Sequence, residues 1–509
     1  MSNSEQRNID QGPQCINQDA RFVSLALTFQ QVIGFLSVLA IARILGAIDY
    51  GEYAVVKNTM AICYAIGPLG LGIGLMKYLA RFYGSPKLQS SQFNHYRVFA
   101  SIVNCAVPAI SLFVAYILGL TNTQTNHFWQ ILPFALASLP FATDIVLFGA
   151  YCRVVDRISY FSAVSLIVQS ALNLTLALIA ALFFKTALAV VIANTLAIIL
   201  TSALLTTTLG SNSNKLQFES VEESKIEKLP AFAVLSESFW MGCSQFAYSI
   251  MKNMDVLFLG GLVSAHLVAS YSLITTYAFV IFTVPLAISQ SLGPDVARAY
   301  ERNDLNDLKT IYHTYFDKAC VISSFIAGGI AAFADRSELV LGAGFEMSLA
   351  LASLLAFGQL ASAIFGPTGF ALSMTKYHKQ EFALLGTSTV LMAGMLYILV
   401  PLFGLLGAAT SSMFIYISAN ICRYVLVKLY IGIWLAQFKH LLWPATALVL
   451  AYTCRLLSWA TGDGLVNSIV FALLYFTVYC LIVAWRYNFR TDPRLNLQNH
   501  PTQHAKKAN

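Results

Sequence analysis

The chain has 509 residues, 57% of them hydrophobic and 11% charged, with a mean hydropathy of +0.67 and a formal charge of +7. That balance excludes an ordinary water-soluble globule and describes a chain whose solvent is mostly lipid. The positive charge does not imply nucleic acid as a partner. The basic residues sit in short loops between apolar stretches, where anionic lipid and the positive-inside rule account for them.

Residues 1–20 are polar and read as a cytoplasmic tail. No cleavable signal peptide is evident, because the first apolar stretch is long enough to span the bilayer and serves as a signal anchor. Fourteen spans are predicted, at 22–43, 53–76, 98–120, 128–149, 159–183, 187–209, 234–260, 263–291, 318–334, 347–373, 382–402, 405–427, 440–460 and 464–485. The fold class is therefore all-α and polytopic. With the N-terminus inside, 25 of the 31 Lys and Arg fall on the inner side. Four (Arg43, Lys185, Arg336, Arg455) lie at the outer side, and Lys57 and Lys252 lie inside spans. The opposite orientation reverses this ratio, so both termini are placed in the cytoplasm and the protein in the cell inner membrane.

The outer connections are all short, and none has the length to fold as a catalytic domain, so no enzyme is expected. The nine cysteines occur singly, without a C-x-x-C and without ligand-like pairing to the eight histidines. Neither a metal nor another cofactor is expected.

A shift of about 217 to 221 residues brings the two halves into register, as internal repeats of transporters do. Tyr78-Leu79-Ala80-Arg81-Phe82-Tyr83 matches Asp295-Val296-Ala297-Arg298-Ala299-Tyr300. Phe148 to Tyr151 matches Thr368 to Ala371, and the turn from Gly46 to Tyr53 resembles Gly261 to Tyr271. Six spans per copy give both copies the same topology. The expected partition is a tail (1–20), a first lobe (21–210), a polar linker (211–230), a second lobe (231–431), two further spans (439–486) and a cytoplasmic tail (487–509).

Charges inside the hydrocarbon mark candidate function, because each costs a few kcal/mol unless it faces protein or water. Lys57 and Lys252 lie at similar depth, roughly 10 and 12 Å from the outer ends of their spans, in opposite halves of the repeat. Asp255 stands three residues after Lys252 on the same helix face, so an ion pair between them is one reading and a coupling carboxylate another. Arg43 closes the first span, either as a cavity cation or by snorkelling to the interface.

Ser238, Gln245, Ser249 and Lys252 fall within about 40° on the seventh span at ~100° per residue, and Ser24, Thr28 and Gln31 do likewise on the first. Thr28 is the repeat equivalent of Gln245, as expected of two helices lining a shared cavity. Ser165, Gln169 and Asn173 form a third stripe, which helix packing explains equally well. Asp144 either pairs with Arg153 or titrates. The glycines from Gly67 to Gly74 are expected to kink the second span and permit close approach.

The residues Ala42-Arg43-Ile44-Leu45-Gly46, Asp49-Tyr50-Gly51-Glu52-Tyr53-Ala54, Leu69-Gly70-Leu71 and Leu79-Ala80-Arg81-Phe82 carry a family resemblance. In the second half it extends to Asp255, Leu259-Gly260, Tyr271 and the run from Pro401 to Ala409. From about residue 20 to 485 the chain resembles the polysaccharide-unit (O-antigen type, Wzx-like) flippases of the multidrug/oligosaccharidyl-lipid/polysaccharide (MOP) exporter superfamily. The resemblance implies two six-helix lobes that move a polyprenyl-diphosphate-linked oligosaccharide across the membrane by alternating access, with cavity cations meeting the diphosphate. It also implies membrane lipid and other polysaccharide assembly proteins, such as a polymerase and a chain-length regulator, as partners.

A buried cationic cavity suits that cargo, since a diphosphate crosses hydrocarbon only where Lys or Arg meets its charge. Lys57, Lys252 and Arg43 are the expected substrate cations. Thr28, Gln31, Gln245 and Ser249 form the polar face, and Asp255 and Asp144 are the coupling or ion-pair candidates. The alternatives are a cation-coupled drug exporter of the same superfamily and a peptidoglycan-precursor (lipid II) flippase. The short loops disfavour a membrane glycosyltransferase or polymerase.

Overall fold

A computed structural model describes residues 3–68, 70–72, 75, 79, 86–117, 127–155, 157–213, 231–301, 305–342, 344–374, 377–432, 442–462 and 464–488. In hydrocarbon a backbone must satisfy its own polar groups, and the apolar stretches do so as helices. The first helix runs Asn3–Ile66 and turns at Gly46 (φ 77°, ψ 174°), a conformation open essentially to glycine. Its arms, 3–45 and 47–66, are α1 and α2. The others are α3 (Pro86–Ile117), α4 (Phe128–Val154), α5 (Ile158–Phe184), α6 (Ala187–Ser213), α7 (Ala231–Leu262) and α8 (Ala265–Glu301). After them come α9 (Leu305–Phe333), α10 (Leu349–Met374), α11 (His378–Phe403), α12 (Leu405–Ile431), α13 (Leu442–Thr461) and α14 (Leu465–Asn488).

A helix meets every predicted span, and among the described residues nine helical stretches are long and apolar enough to cross a membrane. The polar tail joins the first helix, which begins at Asn3. Most of the predicted linker and of the basic C-terminal tail lies outside the described residues, as do most positions of the repeat match at 78–83.

The expected break in the second span is present. The helix stops at Ile66, and Gly70 takes a positive φ of 77°. The site is also tightly packed: a Cβ on Gly67 would lie 2.6 Å from Thr143 Oγ1, and Asn104 donates to the freed Gly67 carbonyl at 2.8 Å. The glycine run is therefore both a break and a contact.

Among the described residues, the two halves of the chain share one apolar core toward the end of the bundle that carries the Gly46 turn. There Tyr50, Ala54 and Val56 pack with Leu259, Val268, Tyr271 and Phe345, all almost fully buried. Toward the opposite, basic end each half keeps its own core, around Leu75, Tyr96 and Phe148 in the first and around Tyr315, Phe316 and Leu372 in the second. The inter-half packing runs mainly through α1 and α2 against α7 and α8. Thr28 and Gln245, both nearer the basic end, are exposed. Among the described residues the halves are thus joined at the Gly46 end and keep separate cores at the other.

Glycines make that junction close. A Cβ on Gly51 would lie 2.0 Å from the Ala265 carbonyl oxygen, and one on Gly260 would lie 2.7 Å from Val55 Cγ2. Among the described residues, the last two helices dock on the second half. Tyr475 and Tyr479 of α14 donate to the Phe325 and Val321 carbonyls of α9 at 2.7 and 2.9 Å. Arg455 of α13 meets Asp335 at 2.6 Å, and Tyr452 bonds Ser353 of α10 at 2.6 Å.

An ideal Cβ on Gly260 lies 3.6 Å from Val55 Cβ, inside the roughly 3.5–4.5 Å that a disulfide spans. In a background free of native cysteines, Val55→Cys with Gly260→Cys should cross-link on oxidation. With a protease site inserted between residues 213 and 231, the two fragments should stay together on a non-reducing gel. Adding Gly51→Val, which collides with Ala265, should cut the cross-linked fraction several-fold. Unchanged cross-linking would show that the junction does not depend on that approach.

Candidate functional site

Hydrocarbon cannot hydrate a charge, so the buried ionisable groups separate into those that are paired and those that face space. Asp144 of α4 belongs to the first kind. Its partner is Arg97 of α3 and not Arg153, which corrects the predicted pairing. The guanidinium Nε and Nη2 donate to the two carboxylate oxygens, Nη2 at 2.7 Å, and Ser202 and Thr206 of α6 complete the cluster. A bidentate pair of this kind clamps α3, α4 and α6 together.

The second half has its own clamp, which sequence reasoning missed. Arg423 of α12 donates from Nε and Nη2 to Glu381 Oε1 of α11, at 2.9 and 2.7 Å, with both residues almost fully buried. Arg423 was counted with the inner-side charge. An arginine near the inner end of a predicted span, facing a neighbouring span that opens on Glu381, is the signal available in the sequence.

Asp255 is a third engaged carboxylate. Its Oδ2 accepts from the Tyr271 hydroxyl of α8 at 2.7 Å and from Ser412 of α12 at 3.1 Å, and its Oδ1 accepts from the Val256 amide at 2.8 Å. Among the described residues no ion pair joins it to Lys252, so the proposed local pairing is not formed. Its carboxylate ties α7, α8 and α12 together.

That leaves the lysines. Lys57 is exposed to a cavity of about 290 Å³ lined by α1, α2, α4, α5 and α6. Lys252, on the facing helix α7, sets its ammonium 3.5 Å from the Phe279 ring centroid, a cation–π contact that holds the charge without neutralising it. Lys252 lies within Coulombic range of both Lys57 and Asp255. The two lysines come from opposite halves of the chain.

The remaining predicted residues divide. Ser249 donates across the junction to the Ala61 carbonyl at 2.9 Å, and so joins α7 to α2. Thr28, Gln245 and Arg43 are exposed. On α1 it is Gln30, with Gly34 and Ser37, that lines the lysine cavity, one position away from the predicted Gln31.

On α5 the shift has a visible cause. Residues Ala163–Val168 form a π-turn, which inserts one extra residue into the helical repeat. Ser165 is thereby rotated relative to Gln169 and Asn173, which share the α-helix after the turn, and Ser170 lines the cavity beside Asn173. Ser165 bonds the Phe161 carbonyl of its own helix at 2.8 Å.

Taken together, the apolar helices and their two packed halves give the fold of a multi-pass membrane protein. The lipid II flippase MurJ, in an inward closed conformation, matches with a TM-score of 0.68 over 92% of this chain and 99% of that one, at 11% identity. An inward-facing multidrug resistance MATE transporter matches at 0.61 over 81% and 98%, at 15% identity. A MOP superfamily transporter from Pyrococcus furiosus, described as having a binding pocket of reverse polarity, matches at 0.61 over 82% and 96%, again at 15%. At these identities the likeness is one of fold. Residues 16–298 match the polysaccharide biosynthesis protein family, and the chain belongs to that family. No curated protein matches it in sequence.

The bonding of Asp255 makes a stability prediction. Asp255→Ala leaves the Tyr271 and Ser412 hydroxyls without their acceptor and should cost roughly 1–3 kcal/mol. Lys252→Met should leave thermal unfolding of the purified protein close to wild type, and the double variant should resemble Asp255→Ala. Rescue of the aspartate variant by the lysine substitution would instead reveal a direct pair.

Proposed function

We propose that the chain is a flippase that carries a polyprenyl-diphosphate-linked oligosaccharide from the inner to the outer face of the cytoplasmic membrane, for polysaccharide assembly. The observation that carries this reading is the pair Lys57 and Lys252, one from each half, close enough to repel and without a carboxylate partner within 4 Å among the described residues. Like charges brought near one another in low dielectric are unfavourable alone and become favourable around an anion. A diphosphate supplies that anion, and its apolar tail remains in lipid at the seam between the halves.

A drug exporter that carries cations fits less well, because the acidic groups Asp144, Asp255 and Glu381 are each held in hydrogen bonds or ion pairs. With the basic end on the cytoplasmic side, the present arrangement is open inward and sealed outward. Substrate would enter between the parted cores and leave once the Gly51 and Gly260 contacts separate. Arg43, at the Gly46 end, would then meet the diphosphate late in the cycle.

Lys57→Ala or Lys252→Ala should reduce transport of the lipid-linked oligosaccharide in reconstituted vesicles at least tenfold while membrane abundance stays near normal. Lys→Arg should retain more activity than Lys→Gln, because charge is what the substrate needs. Equal activity of the Arg and Gln variants would remove the diphosphate role. Orientation is tested separately: a reporter active only outside the cell, fused after Asn509, should stay silent, and a strong signal would invert the direction of transport.

A further inference from the structure

We infer that the cavity beside Lys57 is a subsite for a single sugar ring, the one nearest the diphosphate, and that it selects the cargo by that sugar. The inference rests on the flippase reading and adds to it a second, neutral point of recognition. Five helices of the first half line the cavity, and its about 290 Å³ equals roughly ten waters at ~30 Å³ each, room for a single ring.

Its polar lining is uncharged apart from Lys57. Gln30 and Ser37 come from α1, Ser170 and Asn173 from α5, and Asn194 from α6. Amides and hydroxyls both donate and accept, as ring hydroxyls and acetamido groups require. Asn194 is already oriented, since its Nδ2 donates to the Tyr53 hydroxyl at 2.9 Å. Asn173 is not: its Oδ1 is buried and has no hydrogen-bond partner. A buried acceptor left open at the wall of a polar cavity calls for a ligand donor, and the π-turn just before it on α5 is a known companion of functional sites. The apolar part of the wall, Val56, Met60 and Val191 among it, suits the carbon face of a sugar ring. Lys57 stands where ring and diphosphate would meet.

The test is the affinity of the purified full chain in nanodiscs for two probes: polyprenyl diphosphate, and the same lipid bearing one hexosamine. Wild type should hold the sugar-bearing probe more tightly. Asn173→Leu should weaken that probe about tenfold, the worth of one hydrogen bond to a buried partner, and leave the bare lipid unchanged. Ser37→Ala should act in the same direction, more weakly, and Lys57→Ala should weaken both probes. Unfolding temperatures close to wild type exclude misfolding as the cause; if Asn173→Leu is unstable, Ser37→Ala alone must separate the probes. Equal affinity of wild type for the two probes, or equal weakening of both by Asn173→Leu, overturns the sugar subsite while the flippase reading stands. Failure of wild type to bind either probe overturns that reading and the subsite with it.

Discussion

The architecture depends on one constraint: a charge inside hydrocarbon must be met by something other than water. Most of the buried charge is met within a half. Arg97 with Asp144 and Arg423 with Glu381 are bidentate or near-bidentate pairs joining neighbouring helices, and Asp255 is held by two hydroxyls and an amide. Such groups are weak evidence for function, because removing one partner is costly whatever the protein does. Against them Lys57 and Lys252 stand out by what they lack. One faces a cavity and the other an aromatic ring, and among the described residues neither forms an ion pair within 4 Å.

The same constraint shapes the junction between the halves. A polar seam in the membrane would need full satisfaction, so the closed end is apolar and depends on closeness of backbone. Gly51 and Gly260 allow helix to touch helix at distances no side chain permits, and small or flat residues such as Ala54, Val268 and Tyr271 fill what is left. A seam with few directional bonds is one that can reopen. The bonds that do cross it, such as Ser249 to Ala61, are single and near the middle of the bundle.

Much of this was legible in the sequence because lipid imposes a simple code. Apolar runs of spanning length and alternate basic loops gave the helices, and each predicted span meets one. Depth along a helix was also legible, and it placed Lys57 and Lys252 at similar depth in opposite halves of the chain. Azimuth was harder. The stripe on α5 was read at ~100° per residue, but the π-turn at 163–168, which no composition announces, offsets Ser165 from Gln169 and Asn173; on α1 the residue lining the cavity is Gln30 and not Gln31. Partner choice was least legible. Asp144 had a basic residue nearby in sequence and took a distant one, Arg97, because three-dimensional neighbours outrank local spacing once helices pack.

The docking of α13 and α14 bears on how the two halves can move. Every contact described for that pair, to Val321, Phe325, Asp335 and Ser353, lies on the second half. A change in the angle between the halves leaves those contacts untouched. The second half therefore presents the wider footprint to the surrounding lipid, and in a viscous bilayer the broader body turns less. The first half, carrying Lys57 and its cavity, is the lighter arm of the hinge.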